Sequence, residues 1–387
     1  MRQMTSRERV HAAAKGLPFD QVPVMYYLNS HLACRLIADF FPTRSRFWNA
    51  IAPRLWRRFI EGGELDAGEL ARALPLLLTE YADGRYALEL GADLAFQSTG
   101  LNLFAKRLYR EDGHIRIADS FGSVRGIGGI YLDVIQPAIK DAGDLKNLPL
   151  PDLTAPKHYA PVRKLRKEHP GASILLEVFG AQDLFCSQLW EMSQFMLALY
   201  DHPDEVKDFQ RRFADWSIDI ARRGVEAGAD IVLIYDDYGY TNRPLISMEM
   251  WLEFTYPHLK RLINAIHDAG ALVMLHSCGY QMSFLEHYVE AGLDILQSFQ
   301  PKAGNDFEAA YAQYGDRLAF ATGIDVQQGE RMTPQEIRAD ILRSYRIGGR
   351  NGRHILGMTH MMQYTMPAQN IRTIFDTVRE IQAGAHD

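Results

Sequence analysis

Two short stretches hold residues whose types and spacing suit metal chemistry. In 275-LHSCG-279, His276 and Cys278 stand two apart just past an apolar run. In extended chain that spacing turns both side chains to one side. A neutral imidazole and a thiolate make half of a tetrahedral zinc site, although two ligands alone also suit a packed loop. A second apolar run, 354-HILGMTH-360, finishes at His360, where an imidazole would otherwise be buried for little gain. A third, 230-DIVLIYDD-237, ends in Asp236 and Asp237 and is followed by Tyr238. Adjacent carboxylates in a cleft bind cations, exchange protons or hold a basic partner, and a helix cap with an ion pair is the plainer alternative. Asp236, Asp237 and Tyr238 are therefore the candidate catalytic group. Glu177, Gln300, Asp325 and Met358 are candidates for the substrate-binding rim, with Gln182 and Asp183 nearby in the chain. Met358, Met361, Met362 and Met366 surround His360 as adaptable core, or as an apolar mouth for a methylated substrate.

Such residues need a frame that gathers them. The runs 22-VPVMYYL-28, 173-SILLEVF-179, 230-DIVLIYDD-237, 272-LVMLHSC-278, 294-DILQSF-299, 318-LAFATGID-325 and 354-HILGMTH-360 read as strands. Their nearly continuous apolar character implies burial on both faces, as in a parallel sheet covered by helices. Helices are expected over 204–228, 247–270 and 333–349, the last with Thr333 as N-cap, Pro334 in the first turn and Glu336 as capping-box acid. This alternation predicts an α/β fold, a (β/α)8 TIM barrel, in which polar residues past the strand ends face the site. Residues 40–150 read as an irregular insertion, with a helical block to about 90 and a hairpin over 114–129 turning at Phe121-Gly122-Ser123. One domain spanning 1–387 is expected.

Composition narrows the functions. The 387 residues carry a net charge of −6, which leaves no basic field for nucleic acid or an anionic membrane. Runs such as 231-IVLIY-235 are far shorter than the roughly 20 residues of a membrane span. The amino-terminal segment lacks a signal-peptide core, and Cys34, Cys186 and Cys278 cannot form a disulfide framework. A cytoplasmic protein acting on a small molecule is the expectation. Cys34, Cys186 and histidines such as His258 lack partner spacing and read as packing or surface. No dinucleotide fingerprint, Walker loop, Gly-x-Ser-x-Gly elbow or His-Glu-x-x-His occurs.

The chain resembles the uroporphyrinogen decarboxylase superfamily, and within it the zinc-dependent, corrinoid-linked methyltransferases similar to the methylcobamide:coenzyme M enzymes. The resemblance runs through 7-RERVHAAAKGLPFDQVPV-24, 199-LYDHPDEVKDF-209, 228-GADIVLIYDDYG-239, 247-SMEMWLEFTYPHLKRL-262, 275-LHSCG-279, 291-AGLDILQSFQP-301, 316-DRLAFATGID-325 and 360-HMMQYTMPAQNI-371. True uroporphyrinogen decarboxylases carry Arg-Gln-Ala-Gly-Arg-Tyr after the first strand, where this chain has 25-MYYLNSHLA-33 without an arginine. They also lack His-x-Cys-Gly, which the methyltransferases use for zinc. The resemblance thus implies His276 and Cys278 as ligands. In those that bind coenzyme M the third ligand is a cysteine ten positions before the asparagine of Pro-x-x-Asn; here that asparagine is Asn370 and the position holds His360, as a histidine also does in the decarboxylases, so the resemblance leaves His360 as third ligand or as proton donor.

The activity implied by the resemblance is transfer of a methyl group between a methoxy- or methylamine-type small molecule and a corrinoid (cobalamin) supplied by a carrier protein. The alternative is a cofactor-free decarboxylase on the same barrel, with Asp236 or Asp237 stabilising a protonated intermediate, His360 as proton donor, and Arg243 or Arg85 for a carboxylate. A non-catalytic corrinoid- or metal-binding protein is the third reading.

Overall fold

The computed structural model describes residues 2–28, 30–60, 84–97, 107–112, 114–128, 131–182, 188–349 and 352–384. Asp183, Cys186 and residues 61–83 of the helical block expected before residue 90 lie outside the described residues. In chain order the strands are β1 Val24–Met25, β2 Leu94–Gln97, β3 Arg107–Glu111, β4 His114–Ala118, β5 Val124–Gly128, β6 Tyr131–Gln136, β7 Ser173–Phe179, β8 Ile231–Tyr235, β9 Leu272–His276, β10 Ile295–Gln297, β11 Ala319–Ile324 and β12 His354–Met358.

Eight of them form one parallel sheet in the order β1-β12-β11-β10-β9-β8-β7-β2. Its two edges meet at Asp93. The Asp93 N–H donates to the Val24 carbonyl at 2.8 Å, and its carboxylate accepts the Val24 N–H at 2.9 Å. The sheet therefore curls into the expected, nearly closed α/β barrel. Seven strands coincide with the apolar runs. The eighth, β2, falls in the stretch read as irregular, because four residues give little periodicity.

Side-chain parity separates inside from outside. Odd-numbered Leu175, Leu233, Ile295, Ala319 and Ala321, with Met274 on β9, pack in one core cluster with the terminal helices. Leu176, Val232, Ile234, Val273, Leu275, Leu296 and Phe320 join the cluster under the outer helices Pro203–Glu226 and Tyr256–Asp268. Period two is the geometry of a strand, so the same parity carried past the strand ends decides which polar residues reach the mouth.

The helix expected over 247–270 is two, Met248–Phe254 and Tyr256–Asp268, separated at Thr255. Pro257 lacks the N–H that would continue the first helix, and its ring collides with the carbonyl four residues back. The helix Pro334–Gly348 starts as expected, with Thr333 and Glu336 exchanging both bonds of a capping box. Thr333→Ala removes that reciprocal cap, so its urea midpoint is expected to fall by the equivalent of about 1 kcal/mol; an unchanged midpoint would show the cap to be idle.

The expected hairpin is β4–β5, turning at Gly122 with φ of +102°. Asp119 accepts the Phe121 and Ser123 N–H groups at 3.0 and 2.8 Å, which sets the turn. β3 and β6 extend the hairpin to a four-stranded antiparallel sheet. Among the described residues, no helix is long and apolar enough to cross a membrane.

Candidate metal centre

His276 closes β9 on the inward parity, and Cys278 follows two positions later. Cys278 Sγ lies 3.2 Å from His276 Nε2. His360, just beyond β12, completes a group of three whose ligand atoms all lie within 4.8 Å of one another. Edges of a tetrahedral zinc site with nitrogen and sulfur ligands are roughly 3.5 Å, so a modest approach of side chains fits the ion. The donor set also fits: soft sulfur and imidazole nitrogen are the ligands zinc prefers.

Hydrogen bonding prepares His276 for such a role. Gln297 Nε2 donates to the Met358 carbonyl at 3.1 Å, which turns Gln297 Oε1 toward His276 Nδ1, and these two atoms are hydrogen-bonded. An amide oxygen only accepts, so Nδ1 carries the proton and Nε2 presents its lone pair beside Cys278. The imidazole is fully buried, and burial lowers its pKa to about 4. Tyr235 stacks on it with ring centroids 4.5 Å apart and planes 7° from parallel. Tyr27 leans over both histidine rings, at 5.5 Å from His276 and 6.1 Å from His360. Burial, reinforced by the nearby His276 ring, also lowers His360 to about 4.

Parity splits the two adjacent carboxylates. Asp237 continues the inward series and lies with Oδ1 3.8 Å from His276 Nε2, accepting the Cys278 N–H at 2.6 Å. Surrounding protein raises its pKa, although 26% of its side chain still reaches the opening. Asp236 continues the outward series instead. It is 1% exposed, accepts the Gln182 N–H at 3.0 Å, and sits where a Cβ on Gly180 would come within 2.2 Å. Tyr238 goes with it, packed against Trp251, Phe284 and Tyr288, and burial pushes its phenol well up. The structure thus brings Asp237 to the three candidate ligands and places Asp236 and Tyr238 behind them.

The rim candidates divide in the same way. Glu177 keeps the inward parity on β7, two positions before Phe179, which aligns with Tyr235. Gln300 accepts the Gly279 N–H at 2.8 Å and so shapes the Cys278 loop. Asp325 accepts the N–H groups of Gln327 and Gln328 and caps the turn after β11. Met358, Met361, Met362 and Met366 are all buried in the core, in keeping with adaptable filler. Cys34 is buried as well, its thiol pushed up to about 12. Gln297, Ser298, Tyr27 and Tyr235 were not singled out from sequence; parity within 294-DILQSF-299 points to Gln297, but nothing in the pattern points to Ser298.

Burial sets an acid limit on the fold. His258, His276, His354 and His360 are each lowered to about 4, chiefly by burial, against about 6.5 in an unfolded chain. Unfolded chain therefore binds more protons between these values, so stability is full above about pH 6.5 and is lost as pH falls toward 4. Each such histidine contributes a slope of up to about 1.4 kcal/mol per pH unit. Urea midpoints of chelator-treated protein are expected to be flat from pH 7 to 8 and to drop steeply below 6.5; a flat profile down to pH 5 contradicts buried neutral histidines.

Comparison with known proteins agrees with this fold. A family model described as uroporphyrinogen decarboxylase (URO-D) matches residues 127–381. The chain belongs to the uroporphyrinogen decarboxylase family. Among relatives, the uroporphyrinogen decarboxylase of Pseudomonas aeruginosa (strain LESB58) is 22% identical over 296 residues, covering 70% of this chain and 78% of that protein. That of Crocosphaera subtropica is 22% identical over 316 residues, covering 75% and 82%. A solved structure of a methyltransferase from Methanosarcina mazei superposes with a TM-score of 0.69 at 18% identity, covering 98% of this chain and 99% of the other.

Proposed function

We propose that this chain is a zinc-dependent methyltransferase that moves a methyl group between a methoxy- or methylamine-type small molecule and a corrinoid held by a partner carrier protein. The observation that carries the reading is the convergence of His276, Cys278 and His360 at one barrel mouth. The likeness over nearly the whole chain to the Methanosarcina mazei methyltransferase supports it. His276, Cys278 and His360 would hold the ion. With two neutral ligands and one thiolate, bound zinc would keep net positive charge and supply Lewis acidity toward the substrate's heteroatom. Gln297 holds His276 in the tautomer that offers Nε2. Asp237, raised in pKa and still reaching the opening, is placed to hold or give the proton that a leaving oxygen or nitrogen needs. Inward-facing Glu177 would orient the donor. The corrinoid carrier is the proposed partner.

The names of the sequence relatives favour a second reading, decarboxylation, with Asp237 beside a cationic intermediate and His360 as proton donor. Of the carboxylate anchors weighed for it, Arg85 is poorly placed. Arg85 pairs with Glu168 at 3.6 Å, where the helix Ala160–Glu168 leads into the start of β7, at the opposite end of the barrel from His276. Arg243 is exposed and lies over the Tyr240 ring at 5.7 Å.

The test is anaerobic mixing of the zinc-loaded protein and reduced cobalamin with a panel of methoxylated and methylated-amine donors. Conversion of the reduced corrinoid spectrum to that of methylcobalamin with one donor is expected. No conversion across the panel, with carbon dioxide released from a carboxylic acid instead, would move decarboxylation to first place.

A further inference from the structure

Two consecutive residues at the end of β10 reach the two halves of the metal centre together. Gln297 joins His276 Nδ1 to the Met358 carbonyl, and Ser298 donates from Oγ to the Thr359 carbonyl at 2.8 Å while lying 3.5 Å from Cys278 Sγ. On one side are the ligands of β9; on the other are the two residues that precede His360. Consecutive side chains of a strand point to opposite faces, so a regular β10 could not aim both inward. Ser298 breaks the alternation with φ of +75°, a conformation that only Ser298 and Asp112 adopt among the described non-glycine residues. The left-handed region is costly for a side chain bearing Cβ, and such strain persists where surroundings impose it, often at functional sites. Both residues are fully buried, so neither serves solvation.

We propose that Gln297 and Ser298 are positioning residues that act as one clamp: Gln297 fixes the His276 tautomer, and Ser298 sets Cys278 against the segment carrying His360. The inference rests on the metal-centre reading for its Ser298 half, whereas the Gln297 half concerns the imidazole itself. Partners that orient ligands in this way typically change metal affinity about 10–100-fold when removed.

Ser298→Gly keeps the positive φ, which glycine adopts freely, and deletes only the hydroxymethyl group. It is expected to lower cobalt(II) affinity about 10–100-fold, measured by chelator competition, and to weaken the thiolate-to-cobalt absorption while the metal-free thermal midpoint stays near wild type. Gln297→Met is expected to replace the single Nδ1-protonated nitrogen-15 signature of His276 by a mixture of tautomers, with the resonances assigned by their loss in His276→Ala. Gln297→Glu, which still accepts from Nδ1–H, is expected to restore the single tautomer.

Cobalt bound as tightly and with the same absorption in Ser298→Gly overturns the Ser298 half. An unaltered His276 spectrum in Gln297→Met overturns the Gln297 half. Wild-type protein that takes up no cobalt defeats the metal reading and the Ser298 assignment with it. The spectra of metal-free protein then still decide Gln297, so the two failures are distinguishable.

Discussion

Alanine at His276, Cys278 or His360, one at a time, is expected to strip the protein of zinc. Wild type purified without added zinc should carry about one ion per chain by plasma emission. A structural zinc site contributes on the order of 10–16 kcal/mol in total, so one ligand is worth roughly 3 kcal/mol, about a hundred-fold or more in affinity. The three substitutions differ in what else they disturb. His276 is fully buried between Tyr235 and Gln297, so its removal also opens a cavity. His360 lies closer to solvent, and His360→Ala is the cleanest test of the third position. Zinc retained at wild-type level in His360→Ala, but lost in the other two, would return that histidine to the proton-donor role. A wild type that stays metal-free when zinc is offered would sink the methyltransferase mechanism.

The second large effect is expected from a single methyl group at Gly279. Its φ is +75°, and a Cβ there would lie 2.4 Å from the Gly239 carbonyl oxygen and 2.8 Å from that of Tyr240. Opposite it, a Cβ on Gly239 would meet Tyr280 N at 2.4 Å. Two loops, one following β8 and the other β9, are thus packed backbone against backbone, tied by the Tyr280 N–H to the Tyr240 carbonyl at 2.9 Å. No flexible side chain stands in the way to yield. Gly279→Ala combines a disfavoured φ with a backbone collision one residue after Cys278, so a loss of about 3 kcal/mol or more is expected, together with weaker metal retention. Gly270→Ala is the control: its φ is +90°, but nothing lies within 4 Å of its Cβ. Equal losses in the two variants would assign the effect to φ alone and remove the loop-packing argument.

The barrel was legible because seven of its strands are apolar runs ending in polar residues, a pattern imposed by burial on both faces. β2 was not, since its four residues carry too few periods to register. The candidate metal ligands were legible for a related reason: His276 and Cys278 interrupt an apolar context at same-face spacing. Asp236 and Asp237 looked equivalent as a pair, yet the odd–even alternation of 231-IVLIY-235 distinguishes them and sends only Asp237 inward. Gln300 and Asp325 were read as rim residues from their positions past strand ends. The Gln300 carboxamide accepts a backbone N–H of the neighbouring Cys278 loop and the Asp325 carboxylate accepts those of its own turn, a competition that strand position alone does not reveal. Ser298 was out of reach, because its place depends on a backbone angle that no residue pattern encodes.

The seam at Asp93 bears on the order in which the ring is assembled. From β8 to β12 each strand pairs with its predecessor in the chain, so six staves from β7 onward can be laid down successively, each closing a connection far shorter than that between β1 and β12. β1 must instead find β12 near the other end of the chain, aligning Val24 with Leu356. Distant pairings slow folding more than they weaken the product, since loop entropy grows only logarithmically with length. The six-stave arc is therefore the natural early unit, and the amino-terminal strands are the hoop that draws it shut. The candidate ligands at the ends of β9 and β12 both belong to that arc, so the site is expected to gather before the ring is joined.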